Sequence, residues 1–443
     1  MARRNFMRAL AYSVFLCVSM PTFLRIQTGG AIPELTIHRL VLISLFINWV
    51  KQPGKKPLRD IPMFGAFCFW AFVNAISLCC TSIDFTDSLK QYLDFVIEVG
   101  VFYVIASTTI RSREDAILTI RAAVCGMAIV AFFGTVEHYT TFNPVDEFIP
   151  NYVRAEGAGH DVLSTYQHRI LLGTGMAMGW PLCIALLRGR TVGFPGRKML
   201  WLFIALLVAT CFFAQSRGPW LACVIAVGVM IWLGSKGLRK ILILLPVLAV
   251  LTFVIKPGVL DSLTTSAHDT MDADSFKGGT FQYRLELWKV AWAQVSKSPL
   301  RTLVGYGPGS GRQVDIQWDL SYRNWSLTID SWDSYLAYDL FRSGVLGSIA
   351  SGFLFLGMWW RLYRATRNVS GNTRDFLVCL LGCVSAFIFM MTNTYNFERA
   401  LDYLLWSVVA SAFTIATSAD SLPAESNPVD ETSPVESSEP VTA

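Results

Sequence analysis

Two arginines and a group of aspartates are the residues in this chain whose types and surroundings suit chemistry. Arg217 interrupts the apolar run "CFFAQSRGPWLACV", residues 211 to 224. A guanidinium offers a planar fork of donors that matches a phosphate or diphosphate, and beside a helix N-terminus backbone N–H groups of the same polarity join it. Arg284 stands in "FQYRLELWKVAWAQV", one helical turn before Trp288, where it can stack on the indole or reach a lipid-borne phosphate. Asp330, Asp333 and Asp339 follow in "TIDSWDSYLAYDLFRSGVLG". A carboxylate there can accept the proton of an attacking hydroxyl. It can equally be the ion-pair partner of an arginine, and Asp339 has Arg342 on the same helix face. Plainer roles stand beside the chemical ones: Arg217 as the snorkelling anchor of a hairpin, and Arg284 as a surface residue of an amphipathic helix.

These side chains are positioned by membrane helices. Of 443 residues, 53% are hydrophobic and only 16% charged, more apolar matter than the core of a soluble domain requires. Apolar stretches long enough to span a bilayer lie near 6–26, 32–50, 62–81, 92–110, 115–136, 168–187, 199–215, 218–234, 238–256, 343–361, 375–393 and 399–418. The first is not followed by a small-residue cleavage site and reads as a retained helix. The expected fold is therefore all-α, a polytopic helical bundle of about twelve transmembrane helices with a partly helical outer loop. Its divisions are nine helices over 1–256, the large loop 257–342, three helices over 343–418, and an acidic, Pro- and Ser-rich tail over 419–443 that reads as disordered.

Orientation follows from the basic residues. Connections carrying Arg3, Arg4 and Arg8; Lys51, Lys55, Lys56 and Arg59; Arg111 and Arg113; Arg188, Arg190, Arg197 and Lys198; Lys236, Arg239 and Lys240; and Arg361, Arg364, Arg367 and Arg374 alternate with poorly basic ones. By the positive-inside rule these face the cytoplasm, so the large loop and the break at Arg217 face outward. That break is required by length. Met199 to Leu233 is an apolar run that as one helix would span about 50 Å, against a hydrocarbon core of about 30 Å. The chain must turn back near Gln215–Gly218, with Ser216 or Gly218 as cap and Pro219 opening the next helix.

In the outer loop Phe281, Leu285, Trp288, Trp292 and Val295 recur at helical spacing and form one apolar face, whose tryptophans suit a membrane interface. "GYGPGSG", Gly305 to Gly311, lacks the Lys-Ser/Thr of a phosphate loop and reads as a flexible turn. No nucleotide-binding, HExxH, GxSxG or Asp-rich metal motif is present. The 10 cysteines fall in or beside apolar stretches without CxxC spacing and read as small core residues. Arg39 and Glu98 lie below the outer face at similar depth and are expected to pair structurally, whereas the sequence alone does not assign a partner to Arg121.

Together, "AQSRGPWLA", "YRLELWKVAW…SPLRTLVGYGPGSG" and "DSYLAYDLFRSGVLG" resemble the O-antigen ligase and polymerase superfamily of bacterial membrane glycosyltransferases, over roughly residues 199 to 360. "VRAEGAGH", with Arg154 and His160, resembles its earlier outer loop. The resemblance implies transfer of a glycan from an undecaprenyl-diphosphate carrier at the periplasmic face of the inner membrane, in O-antigen or exopolysaccharide synthesis. The acceptor would be a glycan or lipid A-core, with no nucleotide sugar, cofactor, metal or nucleic acid involved. Arg217 and Arg284 would hold the diphosphate, with Arg154, His160 and Trp288 around the substrate and Asp333 as proton acceptor. Asp333 stands eleven residues before Gly344, where ligases carry histidine followed by Asn or Ser, and the departure favours a polymerase over a lipid A-core ligase. Rivals are a transporter or flippase, for which two symmetric halves with paired broken helices would be expected, and a non-catalytic assembly partner.

The tail composition yields a first prediction. Truncation after Asp420 should leave membrane insertion and activity unchanged, measured as membrane abundance and product yield; an inserted but inactive protein would contradict it.

Overall fold

In hydrocarbon each backbone polar group must be paired within its own segment, so apolar runs of this length become helices. The computed structural model describes residues 2–21, 25–26, 35–143, 145, 162–189, 193–243, 276–319, 326–329, 331–394 and 399–420. Its helices run Ala2–Ser19, Ile37–Lys51, Phe64–Thr81, Phe85–Phe95, Phe102–Thr109, Arg113–Thr140, Arg169–Arg188, Arg197–Phe213, Arg217–Leu233, Phe276–Val295, Pro299–Val304, Tyr335–Asn368, Gly371–Met390 and Arg399–Asp420. A π-helical turn, Val96–Val101, joins the fourth and fifth into one rod. Two short antiparallel pairings, Arg25–Ile26 with Leu35–Thr36 and Gln317–Asp319 with Ser326–Thr328, are the strands among the described residues. Seven helices there are long and apolar enough to cross a membrane, and the shorter Arg217–Leu233 is also apolar. The chain is an all-α polytopic membrane protein.

Every expected stretch but one coincides with a described helix. The exception, 238–256, continues helically from 236 to 243, and the rest of it lies outside the described residues, as do the tail from 421 and the polar part of the loop, 257–275. Two boundaries differ from expectation. The first helix stops at Ser19, short of Pro21, rather than reaching 26. The stretch begun at 343 is the second part of a longer helix, Tyr335–Asn368, broken at Gly344, whose φ of 64° and ψ of −165° only glycine adopts readily.

Helix Arg169–Arg188 is buried from Leu171 to Leu186 and forms the centre of the bundle. Small residues allow its close contacts: a Cβ built on Gly173 would stand 2.6 Å from Pro219 Cγ, and one on Gly179 would stand 3.1 Å from Leu207. The expected Arg39–Glu98 pair is present, within a larger network. Arg39 also meets Asp94 at 2.8 Å, Glu98 is shared with Arg399 at 2.8 Å, and Arg399 bonds Asp402 at 3.1 Å. The π turn carries Glu98 into the bundle, where its charge is tolerable only because it is paired. At the opposite end, which carries the basic loops, Asp375 ties three helices together. It bonds Arg188 at 2.5 Å and accepts from Ser235 N at 2.9 Å and Ser235 Oγ at 2.6 Å.

Seven of the cysteines are buried or half-buried, but Cys68, Cys79 and Cys80 are exposed on the outer surface of the bundle, which corrects their reading as core residues. A 3.6-residue period cannot say which face of a uniformly apolar helix meets lipid.

The topology is testable by thiol labelling with Cys68, Cys79 and Cys80 replaced by serine. Ser310 is fully buried, so the exposed Arg312 serves as outer probe. Arg312→Cys should react with an impermeant reagent applied from the periplasmic side, and Lys55→Cys only after the cytoplasm is opened.

Candidate functional site

The turn around Arg217 forms where the sequence requires it. Helix Arg197–Phe213 ends, Gln215 takes a left-handed φ of 47°, and Ser216 occupies the N-cap position without a side-chain capping bond. The next helix starts at Arg217, two residues earlier than the proline suggests, and places Pro219 in its first turn, where no intrahelical N–H is lost. Trp220 closes the turn by donating from Nε1 to the Cys211 carbonyl at 3.0 Å and stacking on Phe212 at 5.3 Å. Arg217 itself is half-buried at the positive end of its helix.

A second turn, 391–394 after helix Gly371–Met390, borders both sides of the site. On one side Asn393 and Met390 fill the space beside Gly218, with atoms 3.4 Å from where its Cβ would stand. On the other, the carbonyls of Met391 and Thr394 both accept from Tyr335 N, each at 2.9 Å. The Arg217 turn and the Asp333–Tyr335 segment are thus registered against one short piece of chain. The sequence reading missed it, and its only signal is the polar break "TNTYN" between two apolar runs.

Asp333 is half-buried and accepts from Ser331 Oγ at 2.9 Å. Ser334 caps the following helix, its hydroxyl accepting from Ala337 N at 3.4 Å. Helix Phe276–Val295 is tied to this segment by Tyr283, whose hydroxyl donates to the Ser331 carbonyl at 2.6 Å. Arg284, next to Tyr283, therefore lies in the field of Asp333. Burial pushes the Arg284 pKa below the usual arginine range and the Asp333 carboxylate opposes that push, so the guanidinium remains charged. Its Nε is buried and has no hydrogen-bond partner among the described residues.

Other expected features fall differently. The helix has two apolar faces rather than one: Leu287, Val290, Ala291 and Val295 are buried against Ile329, Trp332 and Phe341, while Phe281, Leu285, Trp288 and Trp292 are exposed. Val295 thus belongs to the buried face, and Trp288 sits on the exposed one. "GYGPGSG" is no flexible turn. Residues 304 to 311 are buried, and Tyr306 N and Gly307 N donate to the carbonyls of Phe341 and Arg342 at 3.0 and 2.8 Å. Asp339 is locked by Arg342 at 2.6 Å and by Ser351 Oγ at 2.6 Å, on the far side of the Gly344 break. This is the ion pair with Arg342 that their spacing on one helix face allows. Arg154, His160 and Asp330 lie outside the described residues. Among those described, no group of three or more His, Cys, Asp or Glu could hold a metal ion.

These features define a multi-pass membrane protein with a helical loop clasped to a broken helix. Residues 202–350, from inside helix Arg197–Phe213 to just past Gly344, match the family described as O-antigen ligase, so the resemblance to the O-antigen ligase and polymerase superfamily is borne out over that stretch. The match implies glycosyltransferase-like ligase or polymerase activity on glycan and lipid-linked substrates. No curated protein matches the chain.

The Asp339–Arg342 pair gives a quantitative test. Arg342→Met should leave Asp339 buried and uncompensated and cost about 3–5 kcal/mol, seen as a lowered thermal unfolding midpoint of the purified protein. Asp339→Asn with Arg342→Met should recover part of the loss.

Proposed function

We propose that this chain transfers glycan from an undecaprenyl-diphosphate carrier at the periplasmic face of the inner membrane, as a polymerase of O-antigen or exopolysaccharide. The observation that carries this reading is Arg284, half-buried in the field of Asp333, whose buried Nε has no hydrogen-bond partner among the described residues. A charged donor held without a bond in a partly desolvated site favours an anion that is present only when substrate is bound.

In the proposed reaction an acceptor hydroxyl oxygen attacks the anomeric carbon, the bond from that carbon to the carrier diphosphate breaks, and the electron pair leaves with the diphosphate. Configuration at the carbon inverts. Asp333 takes the hydroxyl proton, its geometry fixed by Ser331. Arg217 and Arg284 stabilise the charge growing on the leaving diphosphate, aided by the helix N-terminus behind Arg217 and by Arg154 and His160 of the earlier loop. Trp288 lies one turn from Arg284, on the side of the isoprenoid tail. With guanidiniums in this role, turnover is expected to survive chelators.

Reconstitution with a lipid-diphosphate glycan tests the assignment. A ladder of products from donor alone identifies a polymerase, and a single product that requires lipid A-core identifies a ligase. Arg217→Lys keeps the charge and loses the fork, so it should be strongly impaired at normal abundance, and Arg217→Ala inactive. Asp333→Asn should slow single turnover about 10²–10⁴-fold with donor affinity little changed. An unchanged rate at saturating donor would remove Asp333 from the chemistry.

A further inference from the structure

Helix Phe276–Val295 is apolar on two sides, and the protein covers only one of them. Across the exposed side run Phe281, Leu285, Trp288 and Trp292, with relative exposures of 45%, 46%, 43% and 53%. The next helix, Pro299–Val304, exposes Leu300 and Leu303 as well, to 48% and 50%. A soluble surface rarely carries six exposed large apolar side chains on two consecutive helices, and two tryptophans among them are the composition of a membrane–water boundary.

What the stripe joins identifies its partner. The Val304 carbonyl accepts from Ser77 Oγ, near the outer end of the spanning helix Phe64–Thr81, so Leu300 and Leu303 stand at the height where that helix leaves the hydrocarbon. The same spanning helix exposes Phe69 and Phe72, and the chain just beyond it exposes Ile83 and Phe85. The stripe is therefore joined, through the Ser77–Val304 bond, to a spanning helix that itself exposes large apolar side chains. Lys289, at its edge, is paired with Glu286 at 2.8 Å yet keeps 59% of its side chain exposed, as a snorkelling lysine at headgroup level would. We infer that the helices Phe276–Val295 and Pro299–Val304 lie in the outer leaflet of the bilayer, bound through this stripe to lipid acyl chains, as an interfacial element rather than a free periplasmic loop. Arg284 lies between the stripe and the buried face, so seating the stripe holds its guanidinium at headgroup depth.

The chain has 14 tryptophans, so the test is a difference measurement on the whole protein. In nanodiscs of phosphatidylcholine brominated in the upper acyl chain, the emission that disappears in Trp288→Phe/Trp292→Phe should be quenched by bromine to about half or less. Aqueous iodide should reach that same emission several-fold less well than it reaches a free indole. Full iodide quenching would overturn the inference by placing the stripe in water. Shielding from iodide without bromine quenching would also overturn it, because a second copy or another protein would then cover the stripe. Both substitutions keep an aromatic ring at an exposed position, and an unchanged thermal midpoint confirms that the comparison is between folded proteins.

Discussion

The geometry of the end that carries the candidate site depends on how the broken helix at Gly344 satisfies its backbone. A break frees carbonyls that would otherwise accept from the next turn, and at the edge of a membrane each unpaired group costs several kcal/mol. Here the Phe341 carbonyl accepts from Tyr306, and the Arg342 carbonyl accepts from Gly307 and from Ser77 Oγ. The fit is tight from both sides: a Cβ on Gly305 would stand 2.4 Å from the Arg342 carbonyl group, and one on Gly344 would stand 2.5 Å from that of Leu303. Loop, broken helix and spanning helix are therefore one hydrogen-bonded unit, and the angle at which Tyr335–Ser343 leaves the membrane is set by it.

Much of this was legible in the residues. Run length fixed the turn at Arg217, because a continuous helix would overrun the bilayer. What the sequence hid was non-local. "GYGPGSG" looked like slack chain because glycines signal freedom locally; here they signal close approach of another backbone. Arg39 and Glu98 were evident as intramembrane charges, but Arg399 and Asp402 are distant in sequence and begin a separate helix, so only packing reveals that they share the carboxylate. The faces of the loop helix were misread for a related reason. A helix apolar on two sides has no single stripe, and periodicity then selects whichever set is bulkier.

The charges separate by how fully they are satisfied. Glu98, Asp339 and Asp375 are buried with two or more partners each, arrangements that hold helices in register and leave little capacity for a ligand. Asp333 and Arg284 are held more loosely, by Ser331 and by each other's field. The rigid pairs set the helix frame, and the less committed pair lies where the proposed substrate would exchange its contacts.

The 391–394 turn has an implication for modularity. The family match ends at residue 350, so a chimera carrying residues 202–350 into another scaffold would bring Arg217, Arg284 and Asp333 together with the loop. It would leave behind Met391, Asn393 and Thr394, against which the two halves of that segment are aligned. Recombination between relatives would then succeed where the host supplies a turn of the same length at that place, and would otherwise yield a segment with every candidate site residue present and their spacing lost.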